Sequence, residues 1–343
     1  MSFIALSTPL DSIHGGADAQ GRAAFDFSTN ANSAGPCPHV WQAVLQADRA
    51  SYPDPQYAQL RQMLADFHGV NTEQIVVGTS GSELIFRVSY WASCSGFPYV
   101  RIPLHAYGDY DRAARQYGLL RQAQMDVSAE PVLIWHAAPS SPLGCWDAMP
   151  EPRIQDRCVV DMAYWPMRLD HRVSSLTELP RSAWQLWSPN KAVGMTGVRA
   201  AYLIVPAHDV EMAQVLRSLA PSWCVGADGV AMLNAWVQPA AQVWLVNSLM
   251  LLRDRMQALC ELLTSHQWTL HPSVSVSSFL CAQPASPLTQ ADVQALRSHG
   301  IKLRDTTSFG LPSWWRLSAQ PQSAHDALNF VLHELRQMRQ RKT

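Results

Sequence analysis

Lysine is nearly missing from this chain: of 26 basic residues among 343, only Lys191, Lys302 and Lys342 are lysine. Any chemistry on a lysine amine therefore has three candidates. An excess of charge of one sign is missing too. The 26 basic residues face 27 acidic ones, a formal net charge of −1, which leaves no surplus of positive charge to hold a polyanion. Charged residues are only 15% of the chain and apolar ones 48%, a balance that excludes general disorder and supplies a sizeable core. Long apolar runs are absent. Stretches such as residues 249–252 fall far short of the ~20 residues a membrane span needs. Residues 1–16 have neither the basic segment nor the apolar core of a signal peptide. The seven cysteines (37, 94, 145, 158, 224, 260 and 281) form no C-x-x-C pair, which argues against a disulfide framework or a zinc site and for a reducing, cytoplasmic setting. Histidines at metal-ligand spacing and a G-x-S-x-G elbow are also lacking, so metal catalysis and serine hydrolysis are set aside.

What is there alternates. Residues 1–38 are irregular, with turns at Gly15-Gly16, Asn30, Asn32 and Gly35-Pro36. Helices are expected over 39–50 and 56–68, the second opened by Pro55 and closed by Gly69. A strand over 74–78, a small-residue turn over 79–83 and a helix from 84 follow, the unit that presents backbone N–H groups to a phosphate. Strands at 99–103, 131–136, 157–161, 185–187 and 200–205, with helices at 110–117 and 209–219, imply α/β layering on a mostly parallel sheet. From about 226 the pattern changes to one long helix reaching 265, strands near 274–281, a helix over 290–300, short strands at 301–304 and 314–318, and a last helix from 323. The chain thus divides into an N-terminal arm (1–38), a large unit (39–225) and a smaller α+β unit (226–343).

Three local features carry chemistry. Asp161 closes an apolar strand, where open α/β sheets bind ligands. Ser188 and Lys191, with Arg199 eight residues on, place a lysine among small residues beside an anion site. The turn Gly78 to Glu83 opens a helix.

Taken in this order, these features resemble the fold-type I pyridoxal-phosphate enzymes of the class I and II aminotransferase superfamily, across nearly the whole chain. Tyr52-Pro53-Asp54-Pro55 looks like that family's Y-P-D-P segment, and Arg316, followed by Leu317 and Ser318, like its C-terminal substrate arginine. Within it, His14-Gly15-Gly16, the run from Asp26 to Asn32, the segment 301–304, Gly310-Leu311 and Trp314-Trp315-Arg316 resemble the threonine-phosphate decarboxylases of cobalamin biosynthesis. The next branch is the histidinol-phosphate aminotransferases. The resemblance implies a large domain with a mostly parallel seven-stranded sheet, a smaller C-terminal domain, pyridoxal 5'-phosphate as cofactor, and a homodimer. It implies that Lys191 bonds the cofactor, Asp161 pairs with its ring nitrogen, and Tyr164 donates to its ring oxygen. Tyr107 would stack on the ring, whereas Tyr110 reads as a packing aromatic. Gly81, Ser82, Ser188 and Arg199 would hold the phosphate, and Tyr52 would reach the partner's site. Arg316 would take the substrate carboxylate, Arg304 a second anion, and His14 and Asn30 the substrate phosphate.

The chain also departs from the pattern. Ser141 stands where the family has an asparagine against the ring oxygen, the stretch from 144 to 161 is short for the usual helix, and Ser33 replaces a proline. Decarboxylation of O-phospho-L-threonine to 1-aminopropan-2-yl phosphate is the favoured reading. A histidinol-phosphate-type transamination is the alternative, and a non-catalytic binding protein is the alternative of another class.

Overall fold

The computed structural model describes residues 15–123, 129–170 and 182–340. After a two-residue strand, β1 (Phe25–Asp26), seven strands build the main sheet: β2 (Ile75–Gly78), β3 (Tyr99–Arg101), β4 (Leu120–Arg121), β5 (Val132–Ala137), β6 (Arg157–Asp161), β7 (Trp184–Trp187) and β8 (Ala201–Ile204). Their order is 2-8-7-6-5-3-4. Strands 7, 6, 5, 3 and 4 run parallel, and β8 lies antiparallel between β7 and β2. This is the mostly parallel sheet that the alternation predicted, with the seven strands that the resemblance implies.

Strand alternation feeds two cores, one on each face. Val132, Ile134, Cys158 and Val160 enter one, while Leu133, Trp135 and Val159 enter the other. Helices α1 (Pro38–Leu45), α2 (Ala58–His68) and α6 (Ala227–Trp236) cover the first face. Helices α3 (Gly81–Cys94), α4 (Gly108–Gln116) and α5 (Val210–Ser218) cover the second. A third core gathers Phe27 with the far end of α7 (Pro239–Ser265), β10 (Phe279–Gln283), β13 (Trp315–Ser318), α8 (Gln290–Ser298) and α9 (Gln322–Gln340). Here β9 (Thr269–Leu270), β10, β13 and β12 (Arg304–Asp305) form an antiparallel sheet, while β1 pairs in parallel with β11 (Ile301–Lys302). Helix α7 contributes Leu245 to the first core and Leu263 to the third. Its 27 residues give it a length of about 40 Å, enough to span both.

Several expected boundaries move. Helix α1 stops at Leu45, where the Arg49 guanidinium takes the Val44 carbonyl at 2.5 Å. Pro55 does not open α2. The Asp54 carboxylate accepts the Gln56 and Ala58 N–H groups (2.9 and 2.7 Å), and Tyr57 turns to φ 50° before the helix begins. The long C-terminal helix is two helices, because Pro239 pushes Gln238 into extended backbone (ψ 144°) and starts α7 afresh.

Candidate functional site

The parallel strands deliver their chemistry at one edge. Asp161 is the last residue of β6 and Tyr164 follows it. Ser188 and Lys191 lie on the loop after β7, and Arg199 leads into β8. Gly81 and Ser82 begin α3, Tyr107 precedes α4, and Ser141 lies beyond β5. With Asn30, Arg304 and Arg316, all of these line a single cavity of about 730 Å³. Tyr52 is not brought there in this chain. It is 79% exposed and stacks on Trp223, ring centroids 4.6 Å apart. His14 lies outside the described residues.

At the centre, the Lys191 ammonium stands 4.9 Å from the centroid of the Tyr164 ring and has no hydrogen bond or ion pair among the described residues. The Tyr164 ring meets Phe279 edge-on, and its hydroxyl accepts the Asn30 amide at 3.3 Å. The Asn30 Oδ1 is buried without a partner. Asp161 is held by two donors. The Ala163 N–H reaches Oδ1 at 2.9 Å, and the Tyr110 hydroxyl reaches Oδ2 at 2.7 Å. Tyr110 is fully buried and lies flat on Trp135 (4.9 Å, 10°). Burial, and then the charge of Asp161, push its hydroxyl well above the ordinary tyrosine range, so it stays a donor. From the sequence Tyr110 reads as packing; the available signal is its place in the first turn of α4, three residues after Tyr107. The Tyr107 ring meets Tyr110 edge-on at 6.0 Å, its hydroxyl lies 3.0 Å from the Ser82 Oγ, and burial raises it too.

The start of α3 is built to receive an anion. Ser80 caps it by accepting the Glu83 N–H, and the Gly81 and Ser82 N–H groups have no acceptor among the described residues. A Cβ on Gly81 would stand 3.3 Å from the Ser188 Oγ and intrude on this cradle. The turn is braced from behind. Arg87 grips Glu83 through two bonds of 2.7 Å, and Glu83 accepts the Thr79 N–H at 3.2 Å.

Across the cavity, Arg304 and Arg316 face each other in the β12–β13 register, 4% and 6% exposed. Like charges placed directly opposite repel. Arg316 donates to the Ser28 carbonyl (2.9 Å) and the Ser141 Oγ (3.3 Å), and its Nε is buried without a partner. Among the described residues no carboxylate forms an ion pair with it. Ser141 thus serves an arginine, a role the sequence did not suggest. Arg304 donates to the Asp305 carbonyl (2.6 Å) and the Ser308 Oγ (2.9 Å). Burial, and then the charge of Arg316, bring its guanidinium down to about 10. Both guanidinium groups lie over the Phe309 ring, at 5.0 and 5.7 Å. The site therefore offers a free amine, a fixed carboxylate, a helix start for one anion and an arginine pair for others.

The family model for aminotransferase class I and II matches residues 23–334. Histidinol-phosphate aminotransferase 2 of Archaeoglobus fulgidus is 25% identical over 333 residues, covering 90% of this chain and 92% of its own length. Among solved structures, histidinol-phosphate aminotransferase from Sinorhizobium meliloti, in complex with pyridoxal-5'-phosphate, matches with a TM-score of 0.76 at 21% identity over 92% of each chain. L-threonine-O-3-phosphate decarboxylase from Porphyromonas gingivalis matches at 0.74 and 17% identity, over 91% of this chain and 99% of that one. Both structures share the fold described above. No helix of the described residues is long and apolar enough to cross a membrane.

Proposed function

From the premise that this chain belongs to the class I and II aminotransferase family, we propose that it is a pyridoxal-phosphate enzyme whose substrate is a small amino acid bearing two anionic groups. The favoured reaction is decarboxylation of O-phospho-L-threonine. The observation that carries the reading is the buried pair Arg304 and Arg316, opposite each other and both lining the cavity that holds Lys191. Burying two like charges side by side costs stability that bound anions offset, and a phosphorylated amino acid brings both a carboxylate and a phosphate.

The residues present fit the cofactor. The unbonded N–H groups of Gly81 and Ser82, with Ser188 and Arg199, would hold its phosphate. Asp161 would hold its ring nitrogen, Tyr164 its ring oxygen and Tyr107 its ring face, and Lys191 would hold its aldehyde. When bound, the cofactor supplies an electron sink for the pair left when a bond to the substrate Cα breaks. The chain's own contribution is orientation and proton transfer. Arg316 and Arg304 would hold the substrate's anionic groups and so set its orientation at Cα. Lys191, when it is not holding the aldehyde, would deliver a proton to Cα as its ammonium form once the carboxylate has left. Asn30 steadies the Tyr164 hydroxyl.

A histidinol-phosphate-type transamination is the second reading, favoured by relatives of that name that match 85–90% of the chain at 25% identity. We further read residues 39–225 as the cofactor-binding unit, 226–343 as the smaller unit and 1–38 as an arm between them, with His14 near the substrate phosphate. A homodimer is supported by exposed apolar side chains, among them Trp41, Leu45 and the stacked pair Tyr52 and Trp223, from which Tyr52 would reach the partner's site. A cytoplasmic setting is supported by seven free cysteines.

The test is release of carbon dioxide from O-phospho-L-threonine by the cofactor-loaded protein. Release that disappears in Lys191→Ala is the expected outcome. Cofactor bound without release, together with amino transfer from a donor such as glutamate, would move the second reading to the front.

A further inference from the structure

We propose that Tyr110 is a positioning residue, whose buried hydroxyl keeps the Asp161 carboxylate turned toward the cofactor's ring nitrogen. The inference rests on the cofactor reading above and adds a residue to it. Asp161 stands at the rim of the sheet, where a carboxylate with one donor could rotate. It has two donors on different oxygens, the Ala163 N–H on Oδ1 and the Tyr110 hydroxyl on Oδ2. Together they fix the plane of the carboxylate and leave its remaining lone pairs for a third donor in the cavity.

The hydroxyl is itself aimed by packing. The Tyr110 ring is trapped flat against Trp135 of β5 and edge-on to Tyr107. The tyrosine that would stack on the cofactor and the aspartate that would hold its nitrogen are therefore tied through one ring. A carboxylate deprived of one of its two donors is free to turn about its own axis, and its remaining lone pairs are then no longer held toward a donor in the cavity.

The experiment measures the affinity of the cofactor-free protein for pyridoxal 5'-phosphate by fluorescence quenching. In Tyr110→Phe, affinity should fall about tenfold, the effect of one charge-assisted hydrogen bond. In the Asp161→Asn background, adding Tyr110→Phe should change affinity less than about twofold. A purely packing role would predict equal losses in both backgrounds, and that result would overturn the proposal. Genetically encoded 4-aminophenylalanine at position 110 keeps a donor at the same place and should restore the wild-type affinity. If Tyr110→Phe fails to fold by circular dichroism, this protein carries the test, and a tenfold loss of affinity in it rejects the proposal. A wild-type chain that binds no pyridoxal 5'-phosphate would instead reject the cofactor reading, so the two failures are distinct.

Discussion

The cavity receives negative charge in two places by opposite means. At the start of α3 the donors are backbone N–H groups, fixed by the helix itself and neutral in any solvent. Across the cavity the donors are the guanidinium groups of Arg304 and Arg316, charged and buried side by side. The cradle is preformed and its strength follows from geometry. The arginine pair sets two like charges opposite each other, which repel. One is suited to keeping a cofactor in place, and the other to releasing what it binds once the anion changes.

The difference is open to breaking, and the largest effect should come from the charged side. Arg316→Ala removes a buried charge that, on the proposed function, would meet the substrate, and turnover should fall about a thousandfold, within the range for truncating one partner of a buried charge pair. Retention of pyridoxal 5'-phosphate, followed by its absorbance after dialysis, should stay within about threefold. Loss of cofactor in that variant would erase the distinction between the two regions. On the backbone side, Gly81→Pro deletes one donor from the cradle while keeping the helix start, because Ser80 is already extended (φ −168°, ψ 165°). Cofactor affinity should fall about thirtyfold, with the rate of the fully loaded protein nearly unchanged.

Proton dependence sharpens the contrast further. Arg304 sits low, at about 10, and only its protonated form attracts an anion. Affinity for inorganic phosphate at the arginine pair, measured by calorimetry, should therefore hold below pH 10 and fall about tenfold per unit above it. The backbone cradle has no titrating donor and should keep its cofactor affinity over the same range. The smallest effect is thermal. Inorganic phosphate at ten times its dissociation constant adds about 1.4 kcal/mol to the folded state, which should raise the unfolding midpoint by about 3 °C. Arg316→Ala should lose most of that rise.

The two regions were also unequally legible in the sequence. The strand, small-residue turn and helix start of the cradle follow one another within a few residues, and periodicity marks them; Asp161 closes an apolar strand and Lys191 is one of three lysines, but their roles were named only through the resemblance. The alternation of strands likewise announced the parallel sheet. The arginine pair could be named by resemblance, but their facing positions depend on the β12–β13 register, which residue spacing does not encode. Ser141 could not be assigned to Arg316, because 175 residues separate them. Tyr110 reads as packing in the sequence because its hydroxyl meets Asp161, 51 residues away, only once its ring stacks on Trp135 of β5. The same limit hid β1 and β4, each two residues long, and the break before Pro239 lay inside an otherwise continuous apolar pattern.

Strand β1 carries one wall of the cavity, and it pairs with a strand roughly 280 residues downstream, Phe25 opposite Ile301. On a ribosome adding about 5–20 residues per second, the two halves of that pairing emerge roughly 15–55 s apart. The main sheet can close during this interval, with the cradle and Lys191 already in place, while the N-terminal segment waits for its complement. Synthesis thus orders the assembly: the sheet edge that carries Asp161 and Lys191 is made before the wall that β1 braces, and Arg304 and Arg316 are among the last of the cavity's residues to arrive.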